Sequence, residues 1–440
     1  MFFIRGRLPS FNLNREARWR LILNKLVHAL VIGAVFTVSA QAQQRNSLTL
    51  AEAEDLALKQ EPGQVAYLAR AHALEEQAVA AGQLPDPTLR IGMQNYPINS
   101  GNFTTEGMTQ AQLGFRQAFP RGKSRAASTR RLRSLAAAQS ENAEARVRDV
   151  LTATRIAWLE TYFWQRAQGV LLESRPFFED LVSITQSMYA VGRKSQYDVL
   201  HAELELSRLD DRLIEARQSR DAAQASLSRW LPNNAYRPVA DKLPLWEQIP
   251  VLADLQQNLS THPLLLAADA DISAQQSGVE LANQNKKPGW VLDLGYGFRD
   301  GFLADGTPRS DFVSLSITVD LPVFKENRQD RKLAAALSER SAAVATKGQL
   351  YAQLRSQLNS EYTRWTELTR RMVLYESKIL QLSKNQAEAA LLAYQSNAGD
   401  FSDVMRAHVS NLDARLEHFG LQIERAQSYA VLANLGGLSR

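Results

Sequence analysis

Four charged side chains in two short stretches are the residues of this sequence best suited to act on a passing ion. Asp198 lies in Tyr189-Ala-Val-Gly192-Arg-Lys-Ser195-Gln-Tyr-Asp198-Val199-Leu200-His-Ala202. Asp400, Asp403 and Arg406 lie in Tyr394-Gln-Ser-Asn397-Ala-Gly399-Asp400-Phe-Ser-Asp403-Val404-Met405-Arg406-Ala407. Carboxylates gathered around one aperture attract cations or tie the opening shut. A single Asp near the start of a helix instead caps it, a role that contributes about 1 kcal/mol. Capping is the simpler role for Asp198. For Asp403 both roles stand, because Asp400 and Arg406 supply the rest of a charge cluster.

Other chemistry is missing. The histidines at 28, 72, 201, 262, 408 and 418 form no HExxH or paired-ligand spacing. Met93, Met108, Met188, Met372 and Met405 do not cluster into a copper relay. There is no G-x-S-x-G, no P-loop and no dinucleotide fingerprint. No catalytic residue, cofactor or metal site is predicted, and the sequence does not read as an enzyme. Cysteine is absent, which excludes disulfides, thiolate zinc sites, cysteine nucleophiles and an N-terminal lipid-bearing cysteine.

The two charged stretches are copies of one another. Subtracting 205 maps Tyr394 on Tyr189, Asp403 on Asp198, Val404 on Val199 and Ala407 on Ala202. Each joins one long helical pattern to another through a tight reversal. Gly192 accepts a positive φ freely, and Asn397 at the aligned position is the next best residue for it. Ser195 and Asp400 align as N-cap candidates, with Asp198 and Asp403 at the third helical position in an acidic variant of the capping box. Two such hairpins imply an internal duplication. The divisions predicted are a signal peptide over 1–42, a first repeat over 43–240, a connector over 241–261 and a second repeat over 262–440.

Charge supports removal of the leader. Of the 440 residues, 51 are basic and 46 acidic, a formal net charge of +5. Six of the basic residues and one acid fall within 1–42, which leaves 45 of each beyond it. The basic excess therefore belongs to the leader and is no evidence for nucleic-acid binding. A basic region ending at Lys25, an apolar run from 26 to 38 and Ser39-Ala40-Gln41-Ala42 have the form of a cleavable export signal. No later run has the ~18 apolar residues of a membrane helix.

Along the chain, 48–84 reads as helix with a break at Glu61-Pro62-Gly63, and the period then changes from 3.6 to 2. Leu89, Ile91 and Met93 alternate with Arg90, Gly92 and Gln94. After a loop over 97–108, Ala111, Leu113 and Phe115 alternate with Gln112, Gly114 and Arg116. A helix from 121 to about 190, which Pro176 should kink, would span roughly 100 Å. The return helix carries Leu206, Leu209, Leu213, Ala216, Ala223 and Leu227 at heptad spacing. The proline-rich stretch 231–263 has no strong period. The second half repeats the order. Trp290, Leu292, Leu294, Tyr296 and Phe298 alternate with Asp293, Gly295 and Gly297, and a loop covers 300–310. Val313, Leu315, Ile317 and Val319 then alternate with Ser314, Ser316 and Thr318. An uninterrupted helix should lead to Tyr394, and a last one, with Leu412, Leu416, Ile423 and Ala430, should end at Gly436-Gly437.

Four strands of roughly ten residues match a tilted bilayer-spanning strand in length. Their polar faces hold Arg90, Arg116, Asp293 and Asp320, which suits a water-filled lumen, and aromatics gather toward the strand ends. Lipid does not tolerate a sheet with free edges. Four strands cannot close a barrel, so the chain is predicted to oligomerise. A dimer gives eight strands and a filled interior, whereas a trimer gives twelve and leaves a channel.

The whole arrangement, from the helix–strand-pair order to the Tyr-x-x-Gly…Asp-Val-Leu turns and their duplication, resembles the TolC family of trimeric outer-membrane efflux proteins over 48–438. The resemblance implies a mainly α fold with a small β part: long coiled-coil helical hairpins, and four strands per chain in a homotrimeric twelve-strand barrel. It implies an outer-membrane exit duct in a Gram-negative bacterium, in contact with lipid and continued by a periplasmic helical tunnel. Its partners would be a periplasmic adaptor and an inner-membrane pump of the resistance-nodulation-division type. Tyr189, Gly192, Tyr394, Asn397 and Gly399 would form the tip turns that meet the adaptor, with Asp198, Asp400, Asp403 and Arg406 at the aperture. Leu84-Pro-Asp-Pro-Thr-Leu, Gly92-Met-Gln-Asn-Tyr-Pro97 and Gln117-Ala-Phe-Pro-Arg-Gly-Lys123 are similar to the branch serving copper–silver or cobalt–zinc–cadmium exporters. Asn397 departs from the glycine of the first turn, so adaptor contacts there would differ. Drug export or type I protein secretion is the alternative cargo class. Outside the family, a periplasmic coiled-coil adaptor also has helical hairpins but needs no lipid-facing strands.

Overall fold

Helix α1 spans Leu50–Lys59 and α2 spans Pro62–Ala81, in a computed structural model that describes residues 47–59, 61–244, 246, 248–396 and 398–437. The expected signal peptide over 1–42 and Asn397 lie outside the described residues. The break before α2 falls where Pro62 predicts it. Pro62 takes the first helical position, and the Glu61 carboxylate accepts from the Gly63 amide at 2.6 Å.

Strands β1 (Thr88–Gln94) and β2 (Gln110–Phe119) form the first hairpin. Helix α3 (Ser124–Ala190) follows with 67 residues, and α4 (Gln196–Ser228) returns beside it. Pro176 does not end α3, which continues through it for about four more turns, to Ala190. Along α4, Leu209, Leu213, Ala216, Ala223 and Leu227 are buried, as the heptad spacing requires.

The connector is more regular than its sequence suggests. It contains α5 (Leu252–Asn258) and a 3₁₀ turn, Leu259–Thr261. The stretch just before the connector folds back on the N-terminal segment, where Leu48 donates to Pro238 and accepts from Ala240. Helix α6 (Pro263–Gln284) then leads to β3 (Trp290–Phe298) and β4 (Phe312–Val319).

The second long helix is not uniform. Helix α7 (Gln329–Leu374) passes through a π turn, Tyr375–Ile379, into α8 (Leu380–Gln395). Proline is absent, so the irregularity is an inserted wide turn rather than a proline kink. Helix α9 (Phe401–Gly436) closes the fold, and Gly437 at φ 63° supplies its left-handed C-terminal residue.

The four strands make one antiparallel sheet in the order β1-β2-β3-β4, so the two hairpins lie side by side. Each strand continues into a helix, and the helices pack in the same order: α2 on α3, α3 on α6, α6 on α7. Among the described residues the outer strands β1 and β4 have no further strand partner, while α7 also packs against α9.

Among the described residues four apolar clusters hold the helices, two of them larger than the others. The first gathers Leu48, Ala53, Trp158, Leu159, Leu227 and Leu231, and the Trp158 indole donates to the Leu48 carbonyl at 2.9 Å. Beside it the buried Arg155 guanidinium meets Glu54 at 2.5 Å. The second gathers Leu181, Leu209, Leu213, Tyr394, Phe401 and Val404, joining both helical hairpins at their turns. Among the described residues, no helix is long and apolar enough to cross a membrane.

Candidate functional site: the sheet face and the helical turns

Alternation along the strands becomes a two-sided sheet once register is fixed. Directly paired residues share a face. Ile91 pairs with Leu113, Leu113 with Tyr296 and Tyr296 with Val313. One row below, Leu89, Phe115, Leu294 and Leu315 stand in line. The apolar residues of all four strands thus share one face. Little in the chain covers it: Ile91 is 77% exposed and Val313 74%. A contiguous apolar surface of this kind marks a lipid or protein contact.

The opposite face is polar. Arg90, Gly114, Gly295 and Ser314 form one row across it. Arg116 and Asp293 stand opposite each other and form an ion pair at 3.7 Å. The alternation assigns both residues to polar faces, but only the pairing of the two hairpins makes them neighbours.

The strand loops are joined as well. Arg299 donates to the Gly107 carbonyl at 2.6 Å and lies over the Phe312 ring, 4.2 Å from its centre. Its backbone amide donates to Asp311 at 2.8 Å. At the other end of the sheet, Arg121 reaches the Asn285 carbonyl at 2.9 Å and Asp320 at 3.4 Å, fastening strand to helix.

The first helical turn follows its sequence closely. Gly192 sits at φ 69°, its amide donates to the Tyr189 carbonyl, and the Arg193 amide donates to the Met188 carbonyl. These two bonds are the Schellman arrangement that ends a helix on a left-handed residue. Ser195 then caps α4. Its hydroxyl accepts from the Asp198 amide at 3.4 Å, and the Asp198 carboxylate accepts from the Ser195 amide at 3.2 Å. Asp198 is thus held in a reciprocal capping box.

The second turn shares the frame but not the side-chain bonds. The Ala398 amide donates to the Ala393 carbonyl at 2.8 Å, the counterpart of the bond from Arg193. Asp400 has the extended backbone of an N-cap, yet its side chain makes no capping bond. The acidic box expected there is absent. Asp403 instead faces Arg406 at 3.3 Å, and both are exposed. Gly399 packs against Ala393, whose Cβ lies 3.1 Å from where a Gly399 Cβ would stand.

The aligned tyrosines differ most. Tyr189 is 49% exposed, whereas Tyr394 is 1% exposed. Tyr394 meets the Phe401 ring edge-on at 5.5 Å and receives Lys194 over its face at 4.6 Å. His201 also approaches Phe401, with ring centres 6.0 Å apart. The first repeat thus grips the second through Lys194 and His201, neither of which the sequence reading selected. Among the described residues, no group of three His, Asp or Glu side chains is placed to hold a metal ion.

No family model matches this sequence, and no curated protein matches it. Solved structures do match the fold. The outer membrane protein VceC of Vibrio cholerae is 19% identical with a TM-score of 0.73, and the match covers 88% of this chain and 96% of that one. The CmeC outer membrane channel of Campylobacter jejuni is 16% identical with a TM-score of 0.73, covering 88% of this chain and 85% of that one. The MtrE outer membrane channel of Neisseria gonorrhoeae, in its open state, is 15% identical with a TM-score of 0.70, covering 88% of both. The chain has the fold of these outer-membrane channels.

Proposed function

We propose that this chain is one third of an outer-membrane exit duct, a passive channel through which an inner-membrane pump and a periplasmic adaptor discharge their cargo. The observation that carries the reading is the four-stranded sheet with two open edges and one bare apolar face. Backbone groups at a sheet edge have no water to bond in lipid, so β1 and β4 must find partners in other copies. Two copies give eight strands and a side-chain-filled interior, whereas three give twelve and room for a channel. The duct is therefore a homotrimer, its apolar faces turned to outer-membrane lipid and its helices forming a periplasmic tunnel.

In this arrangement the Gly192 turn and its counterpart near Gly399 form the tip, which meets the adaptor. Asp198, Asp400, Asp403 and Arg406 lie around the aperture. The pump is of the resistance-nodulation-division type. The motifs over 84–89, 92–97 and 117–123 support heavy-metal cations as cargo. A periplasmic scaffold would have no use for the exposed apolar sheet face.

Topology tests the reading. The native chain has no cysteine, so single cysteines at Ser100 and Asp305 report cleanly. Both should react with a membrane-impermeant thiol reagent on intact cells. Protection of both until the outer membrane is opened would reverse the orientation.

A further inference from the structure

Every charge on the polar face of the sheet can be assigned. Arg116 is paired with Asp293, and Asp320, just beyond β4, is paired with Arg121. Arg90 on β1 is exposed and has neither a hydrogen bond nor an ion pair among the described residues. The face therefore keeps one uncompensated positive charge per chain. Closing the sheet does not cancel it. The strand brought beside β1 is a second copy's β4, whose polar-face residues are Phe312, Ser314, Ser316 and Thr318. None of these is an acid, and Asp320, the next position on that face, is already paired with Arg121.

The same region forms a hollow of about 270 Å³, lined by Arg90, Gly114, Gly295, Ser314, Ser316 and the paired Arg116 and Asp293, among others. Its shape follows from the row Arg90–Gly114–Gly295–Ser314. The two central positions lack a Cβ, so the floor stays flat between a guanidinium on one side and a hydroxyl on the other. A Cβ on Gly295 would come within 2.5 Å of the Ser314 hydroxyl. A planar guanidinium fork matches carboxylate and phosphate oxygens, and serine hydroxyls supply further donors.

We propose that this hollow is a subsite for the carboxylate or phosphate groups of solutes crossing the pore, with Arg90 as its main contact and Arg116 beside it. It gives the strand-built end of the duct a preference for anions. The inference rests on the pore reading above. In a duct serving a metal exporter, it would favour anionic metal complexes over bare cations. The field of Arg90 decays over about 8–10 Å at physiological salt, so the preference is strongest in dilute electrolyte.

Planar-bilayer recording tests this with citrate and inorganic phosphate, each added on the side of loops 97–108 and 300–310. Wild-type current should be reduced by both, and more by citrate. Arg90→Gln should weaken that block about threefold, the scale of an exposed charge contact, and shift the reversal potential in a chloride gradient toward cations. Arg90→Lys keeps the charge and should keep the reversal potential while losing part of the block. Equal block and equal reversal potential in wild type and Arg90→Gln would overturn the subsite and leave the pore reading intact. A wild-type protein that forms no conducting pore would overturn both.

Discussion

Lys194, in the turn of the first repeat, holds its ammonium 4.6 Å from the centre of the Tyr394 ring in the second. The two repeats are thus locked together where both reverse direction. Among the described residues the Tyr394 hydroxyl has no hydrogen-bond partner, and burial pushes its pKa up, with the Asp198 charge adding to the effect.

A buried hydroxyl without a partner carries a desolvation penalty of about 1–3 kcal/mol. Tyr394→Phe should therefore unfold at the same temperature as wild type or higher. Tyr394→Ala removes the whole ring from the core and should cost about 3–5 kcal/mol. Tyr189→Ala should stay within about 0.5 kcal/mol, as exposed positions do. Thermal unfolding of the three variants in detergent checks this, and equal losses at the two tyrosines would contradict it.

Gly192 has open space around its Cα, so only backbone strain opposes a side chain there. With φ at 69°, Gly192→Ala should cost about 1–2 kcal/mol. Gly192→Asn should cost less, because Asn tolerates the left-handed region. The two unfolding midpoints give the answer, and an unchanged Ala variant would exclude the left-handed turn.

His262 supplies a pH-dependent cap. Its Nδ1 accepts from the Leu264 amide at 3.2 Å, which places the ring proton on Nε2, 3.4 Å from the Asn434 side-chain oxygen. Burial depresses its pKa; the Asn434 bond opposes this, the Arg148 charge adds to it, and the Asp149 charge opposes it. Below the ordinary histidine value of about 6.5 the unfolded chain binds the proton first. The stability it contributes is complete above that value and is lost as pH falls toward the folded pKa. His408 shifts the same way through burial. His262→Asn keeps a capping oxygen but cannot titrate, so it should lose less stability than wild type between about pH 7.5 and 5.5. Identical pH profiles would exclude the cap.

Asp198 and Asp403 should separate by assay. Asp198→Ala removes half of a capping box and should cost about 1 kcal/mol. Asp403 makes no capping bond to Asp400, so Asp403→Asn should leave stability unchanged while removing three charges from a trimer's aperture. Its channel should lose cation preference at the tip and bind divalent blockers more weakly. Bilayer recordings identical to wild type would remove Asp403 from the aperture.

Much of this layout was legible in the residues. Alternation in Leu89, Ile91 and Met93 fixed a strand and its apolar side, heptads fixed the buried stripe of α4, and Gly192 with Ser195 and Asp198 specified a turn bond by bond. What escaped was adjacency. Alternation tells which face Arg116 and Asp293 occupy, but not that β2 and β3 are neighbours. Duplication tells that Tyr189 and Tyr394 are equivalent in position, but burial depends on what packs above them, and Phe401 and Lys194 cover only one. The π turn at Tyr375–Ile379 has no proline or glycine to announce it. The acidic capping box at Asp400 failed because a matching residue type does not fix a side-chain rotamer.

The central claim is that the open edges β1 and β4 close against other copies of the same chain, three in all. Native mass spectrometry of the protein extracted from outer membranes in mild detergent measures this directly. The account predicts an assembly of three chains that resists dissociation until the sheet itself unfolds. A stable monomer or dimer would contradict it.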